Sequence, residues 1–339
     1  MSSNNTYRSK YLLDIDADPI TWEGRQLQIQ QRWLAGEVDV TKDRYNFQSM
    51  DPRKRRFVMR VLSFFALADG LLCEQIQGLL KRSKCMVEQC FFIEQMAMEA
   101  VHAEAYTNMV KGLFLKDEQE KIFDSMDELP CVKAKGEFVK KYMNNDTLPY
   151  GIKLVAAAIS EGIFFVGLFA AFFYVRTMDL LPQLCLLNEQ VSKDEKLHRD
   201  VDIHLANKHL DRDEETVKMV RQMIKEGVDI EIEHINYVFS EPFDDVESDE
   251  LCGLSIGNMR RFIFKLGDDI LVSLGLEREF SRSEGDKDNG LPIEYTPEWM
   301  NDISLARKDN FYEKQVTAYS TMSMRATKES KNTIDDVEW

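Results

Sequence analysis

Two short motifs in this sequence place a glutamate and a histidine three residues apart: Glu99 with His102, and Glu195 with His198. Residues three apart on a helix share a face, so each motif can direct one carboxylate and one imidazole to a single point. Carboxylate and imidazole together suit iron or manganese, and neither motif contains the thiolates that would favour structural zinc. The motifs therefore indicate transition-metal chemistry.

A single acidic residue precedes each motif and lies within an apolar helical stripe. Asp69 is 30 residues before Glu99, and Glu161 is 34 residues before Glu195. Four carboxylates in one core cost too much free energy unless cations cancel their charge, which two divalent metals would do. Two such motifs with two lone carboxylates form the ligand set of dimetal helix bundles. The sequence predicts this site with six ligands: Asp69, Glu99, His102, Glu161, Glu195 and His198.

A third Glu-x-x-His pair, Glu231 with His234, lacks a lone acid at a matching separation. A single pair of this kind arises often by chance. We therefore assign Glu231 and His234 to ordinary helix surface.

Tyr106 follows His102 by one helical turn, so its phenol is expected several Å from the metals. A buried tyrosine in a helical core usually serves packing, with one hydrogen bond. Beside oxygen-activating metals, however, it is an oxidisable group, and the apolar residues Phe165, Phe169 and Val191 could shield it from water.

Asp194 immediately precedes Glu195 and permits two interpretations. It is either a solvated charge or an acceptor for the outer N–H of a ligating histidine. Periodicity does not decide between them.

Helical periodicity dominates the chain, and no alternating run indicates a sheet, so we expect an all-α fold. Residues 1–50 are expected to be irregular or short helical structure, residues 51–280 the dimetal helical domain, and residues 281–339 a polar extension with a flexible tail. The pattern predicts helices over about residues 52–82, 86–114, 117–127, 133–143, 154–175, 184–209, 212–239 and 255–275.

The segment 154–175 contains 22 residues with Glu161 as its only charge, and by length it could span a bilayer. A carboxylate at its centre is costly in lipid. A helix that is apolar on all sides also suits the centre of a large bundle, and we expect that location rather than a membrane.

Composition excludes several classes of function. The net charge of −16 argues against a nucleic-acid partner, because phosphate binding needs clustered Lys and Arg. The six cysteines form no Cys-x-x-Cys motif and no signal peptide is evident, so we expect reduced thiols in the cytoplasm. The sequence also lacks a phosphate-binding loop of the G-x-x-x-x-G-K type, which is consistent with a chain that has no nucleotide pocket.

The segments that carry these residues resemble the small, radical-generating subunit of class I ribonucleotide reductase. The resemblance extends from about residue 20 to the C-terminus and is carried by SFFALADG (63–70), MEAVHAEAY (98–106), EGIFFVGLFA (161–170) and NEQVSKDEKLH (188–198). It implies a ferritin-like helical bundle, a homodimer, and a di-iron centre, although manganese or a mixed pair would suit the same ligands. One metal would be held by Asp69, Glu99 and His102, and the other by Glu161, Glu195 and His198. Glu99 and Glu195 would be able to bridge the two.

The resemblance also implies a route for a radical. Tyr106 corresponds to the tyrosine that stores it, Trp33 to a relay tryptophan, and Asp194 to the aspartate that links this tryptophan to His102. Tyr319 corresponds to the mobile tyrosine that passes the radical to the large subunit. The acidic tail with its aromatic end would bind that subunit. Two positions depart from the usual pattern: Lys193 replaces a common arginine, and the chain ends in Trp339 where many relatives end in Phe.

The implied activity is that of a ribonucleoside-diphosphate reductase. Dioxygen would be activated at the metals, Tyr106 would be oxidised, and the large subunit would reduce ribonucleotides to deoxyribonucleotides. Two alternatives remain from the residues alone: a monooxygenase or desaturase that binds its substrate at the metals, and an iron-storage protein.

Overall fold

The computed structural model describes residues 12–125, 129–177, 180–239 and 255–280, with side chains at 66–71, 121, 123–125, 173–174 and 177 left undescribed. All regular structure within these ranges is helical, which confirms the all-α prediction. Eleven helices occur there, apart from short 3₁₀ turns and one π-helical turn: α1 (Pro19–Gln30), α2 (Arg44–Ser49), α3 (Pro52–Arg82), α4 (Met86–Leu113), α5 (Lys116–Ser125), α6 (Pro130–Tyr142), α7 (Tyr150–Ile159), α8 (Val166–Thr177), α9 (Pro182–His209), α10 (Glu214–Phe239) and α11 (Ile256–Ser273).

Local chemistry explains where the long helices begin. Asp51 accepts a hydrogen bond from the backbone N–H of Arg53 at 2.9 Å, and Pro52 occupies the first turn of α3, where its missing N–H costs nothing. Pro130 likewise opens α6. The helix predicted from about residue 133 therefore begins three residues earlier, because proline is well tolerated at the first helical position.

Four helical segments form the centre of the bundle: α3, α4, α9, and the continuous segment made of α7 and α8. α3 packs along α4, α7 packs along α9, and α8 packs on both α3 and α9. α10 and α11 pack on each other and cover the outer side of the α7–α8 segment. This arrangement brings the backbones of all the predicted ligands to one core.

The apolar segment expected at 154–175 lies inside this bundle. Tyr150–Phe172 is long and apolar enough to cross a membrane, but its most apolar window is entirely buried in the protein. The segment is interrupted by a π-helical turn, Ser160–Phe165, which joins α7 to α8 and contains Glu161. π-helical turns inside α-helices occur frequently at functional sites.

α1 lies across α4 and α9 and is held close to them at Gly24. A Cβ atom at Gly24 would lie 2.7 Å from Cγ2 of Val201 on α9, so only glycine allows this approach. The close contact fixes the position of α1 on α9, and it thereby places Trp33, which follows α1, beside the centre of the bundle.

The third Glu-x-x-His pair does not lie on the surface. Glu231 and His234 are both 0% exposed, so the assignment to ordinary helix surface was wrong. The pattern of α10 alone could not show this, because α6 and the π-helical turn cover the face that carries the pair.

Candidate metal centre

α4 and α9 each present one Glu-x-x-His motif to the same point. Glu99, His102, Glu195 and His198 are all 0% exposed. Nδ1 of His102 lies 3.1 Å from Oε2 of Glu99 and 3.0 Å from Oε1 of Glu195. Nδ1 of His198 lies 3.0 Å from Oε1 of Glu99 and 3.5 Å from Oε2 of Glu195. Both imidazoles therefore direct Nδ1 toward the same pair of carboxylates.

The π-helical turn contributes the third glutamate. Single ligand atoms of Glu99, Glu161, Glu195 and His198 all lie within 4.8 Å of one another. Gln95, one turn before Glu99 on α4, donates from Nε2 to Oε1 of Glu161 at 2.9 Å. This bond leaves the second carboxylate oxygen of Glu161 available to the centre of the cluster.

Burial and mutual repulsion shift the pKa values in this cluster. Burial raises the pKa of Glu161 well above its usual range, and the charges of Glu195 and Glu99 add to the effect. Burial also opposes ionisation of Glu195, but the close approach of Glu161, His102 and His198 outweighs it and lowers the pKa of that carboxyl.

The pKa values of both imidazoles are raised. Burial would lower the pKa of His102, but the Glu99 charge and the hydrogen bond to Asp194 raise it well above 6.5. Burial opposes protonation of His198 too, yet its contacts with Glu195 and Glu99 raise its pKa to about 10. Protons thus offset the charge of the carboxylates, and a bound metal would displace them.

The polar atoms of the cluster fit a metal better than they fit one another. Oε1 of Glu99, Oε2 of Glu161, both carboxylate oxygens of Glu195 and Nδ1 of His198 are buried and form no hydrogen bond within the described residues. Buried polar groups are normally satisfied, and each exception needs an explanation. Hard carboxylate oxygens with imidazole nitrogens are the ligands that iron and manganese prefer.

Asp194 connects His102 to Trp33. Its Oδ2 accepts a hydrogen bond from Nε1 of Trp33 at 2.8 Å and lies 3.1 Å from Nε2 of His102. The indole and imidazole rings are nearly parallel, with centroids 6.0 Å apart and an angle of 24°. Asp194 is buried, which excludes the interpretation as a solvated charge.

Tyr106 lies in an aromatic layer one turn beyond His102. Its ring is 0% exposed and stacks on Phe65, with centroids 4.8 Å apart and an angle of 10°. Phe65 in turn stacks on Phe169 at 5.1 Å and lies 5.9 Å from Phe165. Val191 is buried as well.

Two predicted site residues lie outside what the structure describes. Asp69 belongs to α3, but its side chain is among those left undescribed. Tyr319 and the whole tail after residue 280 are outside the described residues. Lys193, which departs from the resemblance, lies on the surface and pairs with Glu189 at 3.1 Å, away from the cluster.

Comparisons with known proteins decide the family. Residues 12–289 match the protein family described as ribonucleotide reductase, small chain. The chain belongs to this family. It is 33% identical over 311 residues to ribonucleoside-diphosphate reductase subunit M2 of Danio rerio, covering 89% of this chain and 74% of the relative. It is 30% identical over 325 residues to the ribonucleoside-diphosphate reductase small chain of Yaba-like disease virus, covering 94% and 92% of the two chains.

The fold of this ribonucleotide reductase small chain agrees with that of solved relatives. The Rnr4 homodimer from Saccharomyces cerevisiae superimposes with a TM-score of 0.72 at 22% identity, covering 93% of this chain and 91% of that one. The comparisons therefore favour the small-chain family over the monooxygenase, desaturase and storage alternatives.

Sequence reasoning missed two residues of this site. Phe65, rather than Phe165 or Phe169, is the ring stacked on Tyr106. Helical spacing places Phe65 in the same apolar stripe as Asp69, but it does not show the contact with Tyr106 on another helix. Gln95 is four residues before Glu99 and could have been found by helical spacing.

Proposed function

We propose that this chain is the radical-generating small subunit of a class I ribonucleotide reductase, with a metal pair at the cluster and a tyrosyl radical at Tyr106. One observation carries the proposal. Three buried glutamates converge with His198, and His102 contacts two of them and is joined through Asp194 to the indole of Trp33. Neither storage nor oxygenation of a bound substrate requires that connection.

The ligands divide between the two metals as the resemblance implies. Asp69, Glu99 and His102 would hold the metal nearer Trp33, and Glu161, Glu195 and His198 the other. Glu99 and Glu195 suit bridging, because each has oxygens within 3.5 Å of both imidazole Nδ1 atoms. When bound, two irons, or alternatively two manganese ions, supply the dioxygen-dependent oxidising power that a tyrosine requires.

The protein's own part is to shield Tyr106 from water. Phe65 covers one face of the phenol ring, and Phe165 and Phe169 extend the apolar layer behind it. A buried apolar layer excludes water and reductants, so a phenoxyl radical formed there would persist.

Trp33 and Asp194 provide the proposed way out of the site. The short bond from indole Nε1 to Asp194 Oδ2 fixes the tryptophan against the His102 side of the cluster. Asp194 is an acceptor toward both neighbours, so it can hold a proton released by the indole when an electron leaves that ring. An electron deficit would then pass from Trp33 by way of Tyr319 to the large subunit.

The partner proposals depend on relatives and on the tail. Residues 281–339 would bind the large subunit through the acidic end with Trp339. The yeast relative is a homodimer, which supports the same assembly for this chain. The relatives are named as ribonucleoside-diphosphate reductases, which supports ribonucleoside diphosphates as substrates of the complex.

Reconstitution tests this function directly. The purified chain is loaded with Fe(II), exposed to dioxygen and examined by electron paramagnetic resonance, with metal content measured in parallel. We expect about two irons per chain and a tyrosyl signal that is absent from Tyr106→Phe at unchanged metal content. A tyrosyl signal that persists in Tyr106→Phe would refute the radical assignment, and tens of irons per chain would favour storage.

A further inference from the structure

A buried ion pair lies next to the π-helical turn, outside the metal cluster. Nζ of Lys135 on α6 is 2.6 Å from Oε2 of Glu231 on α10, and their side chains are 2% and 0% exposed. The ammonium of Lys135 is paired with the carboxylate of Glu231, so the third Glu-x-x-His pair does not form a metal site. His234 instead lies edge-on to Phe64, with ring centroids 5.2 Å apart.

Lys135 contacts the π-helical turn itself. Its Nζ donates to the backbone carbonyl of Phe164 at 3.2 Å and lies 3.8 Å from the ring centroid of Phe64. A π-helical turn contains one residue more than an α-helical turn and is rarely stable by itself. A cationic donor at one of its carbonyls stabilises this geometry, because hydrogen bonds from charged groups are stronger than neutral ones.

Glu231 contacts the chain just after the π-helical turn. A Cβ atom at Gly167 would lie 2.4 Å from Oε1 of Glu231, so the carboxylate occupies space that only glycine leaves open. The ion pair therefore holds the segment at two points, the carbonyl of Phe164 and the backbone of Gly167.

Stability does not explain why this pair is buried. Burial lowers the pKa of Lys135 and raises that of Glu231 to about 7, which shows that ionisation is costly for both. Replacing a whole buried ion pair by uncharged groups of similar volume is often neutral or stabilising. Selection of one conformation would account for its burial.

We infer that Lys135, paired with Glu231, is a positioning residue for the metal centre: it holds the π-helical turn in the register that presents Glu161 to the cluster and Phe165 to the layer beside Tyr106. This inference rests on the proposed function for its metal-binding consequence. An α-helical turn in place of the π-helical one would rotate Glu161 and Phe165 relative to the helices on either side.

A double variant tests this inference. Lys135→Met with Glu231→Gln removes both charges and nearly conserves volume. The same two helices offer a matched control in their exposed pair, Lys141 with Glu226 at 2.7 Å, changed to Lys141→Met with Glu226→Gln. Amide hydrogen exchange of the metal-free proteins over residues 160–167 and Mn(II) affinity by calorimetry are measured for both.

We expect the buried double variant to remain folded and its amides to exchange about tenfold faster over this segment. We also expect it to bind Mn(II) about 10–100-fold more weakly, because loss of an outer contact of a metal ligand typically costs that much affinity. The surface variant should match the wild-type protein in both. Unchanged exchange and affinity in the buried variant, or equal losses in the surface variant, would overturn the inference. If the wild-type protein bound no Mn(II), the proposed function would fail, whereas exchange would still decide the role of Lys135.

Gly167→Ala provides a second variant in case the double variant does not fold. The added Cβ would push on Glu231 without removing a charge. Faster exchange over residues 160–167 supports the inference, and wild-type exchange in this variant overturns it.

Discussion

The indole of Trp33 and the carboxylate of Asp194 form a buried 2.8 Å hydrogen bond across 161 residues of sequence. The same oxygen of Asp194 faces Nε2 of His102, so one atom serves both the candidate metal ligand and the candidate relay. Single changes at Asp194 and at Trp33 can separate the orientation of the metal ligand from the relay of the radical.

Asp194→Asn should weaken metal binding. The amide keeps the size of the carboxylate but loses the charge that orients His102, and loss of such an outer contact typically costs about 10–100-fold in metal affinity. Mn(II) affinity measured by calorimetry checks this. An affinity equal to that of the wild-type protein would show that Asp194 does not orient the ligand.

Trp33→Phe should abolish turnover without weakening metal binding. An aromatic ring remains stacked on His102, but the N–H donor and the easily oxidised indole are lost. We therefore expect metal content and the Tyr106 signal to stay while turnover with the large subunit disappears. Electron paramagnetic resonance and a coupled reductase assay measure the two properties. Wild-type turnover in this variant would remove Trp33 from the pathway.

Gln95→Leu should reduce metal affinity through Glu161. The side chain of Gln95 donates to Oε1 of Glu161 at 2.9 Å, and its loss frees the carboxylate to turn, at a cost of about tenfold in affinity. Gln89→Leu is the matched control, because Gln89 lies on the same helix and donates to the carbonyl of Ser83 rather than to the cluster. Equal affinities in the two variants would contradict a role for Gln95.

Glu88 is expected to control acid stability. It is 1% exposed and contacts His209 at 2.8 Å and Lys208 at 3.0 Å, joining the start of α4 to the end of α9. Burial opposes its ionisation, but the contacts with His209 and Ser83 outweigh it and lower its pKa below 4.5. A lowered carboxyl pKa contributes stability that is complete above the unfolded-state value and is lost as pH falls through the folded-state value.

Glu88→Gln should therefore lower the free energy of unfolding by about 1–3 kcal/mol at pH 7, because it leaves buried donors unpaired. The difference from the wild-type protein should shrink as pH falls below 4.5. Urea unfolding at several pH values measures this difference. Glu94→Gln is the control, because Glu94 forms partly exposed ion pairs, which contribute little to the free energy of unfolding. A difference that stays constant down to pH 3 would exclude Glu88 as the titrating group.

Deletion of residues 320–339 should abolish reductase activity with the large subunit and leave the metal content and tyrosyl signal unchanged. The tail is proposed only as a docking segment, so it has no part in forming the radical. Full activity of the truncated chain would show that the subunits associate through another surface.

Spacing along the sequence was sufficient for the parts of the site that repeat every turn. The two Glu-x-x-His motifs, Tyr106 and the bounds of α3 and α4 all follow from helical periodicity, and the structure brings Glu99, His102, Glu161, Glu195 and His198 together as expected. Their role as ligands stays a prediction.

Contacts between distant helices were beyond that reasoning. The π-helical turn breaks the 3.6-residue period that sequence patterns assume, so its register could not be foreseen. The environment of Glu231 depends on α6, which is almost a hundred residues earlier, and the motif was therefore misassigned to the surface. Whether Asp194 was solvated or buried depended in the same way on Trp33.

Diffraction from crystals grown with Mn(II), recorded at the manganese absorption edge, tests the metal pair most directly. We expect two anomalous peaks about 3.5–4 Å apart, both bracketed by the carboxylates of Glu99 and Glu195, with one beside His102 and the other beside His198. A map without peaks in this cluster, or with manganese only at the protein surface, would contradict the dimetal assignment.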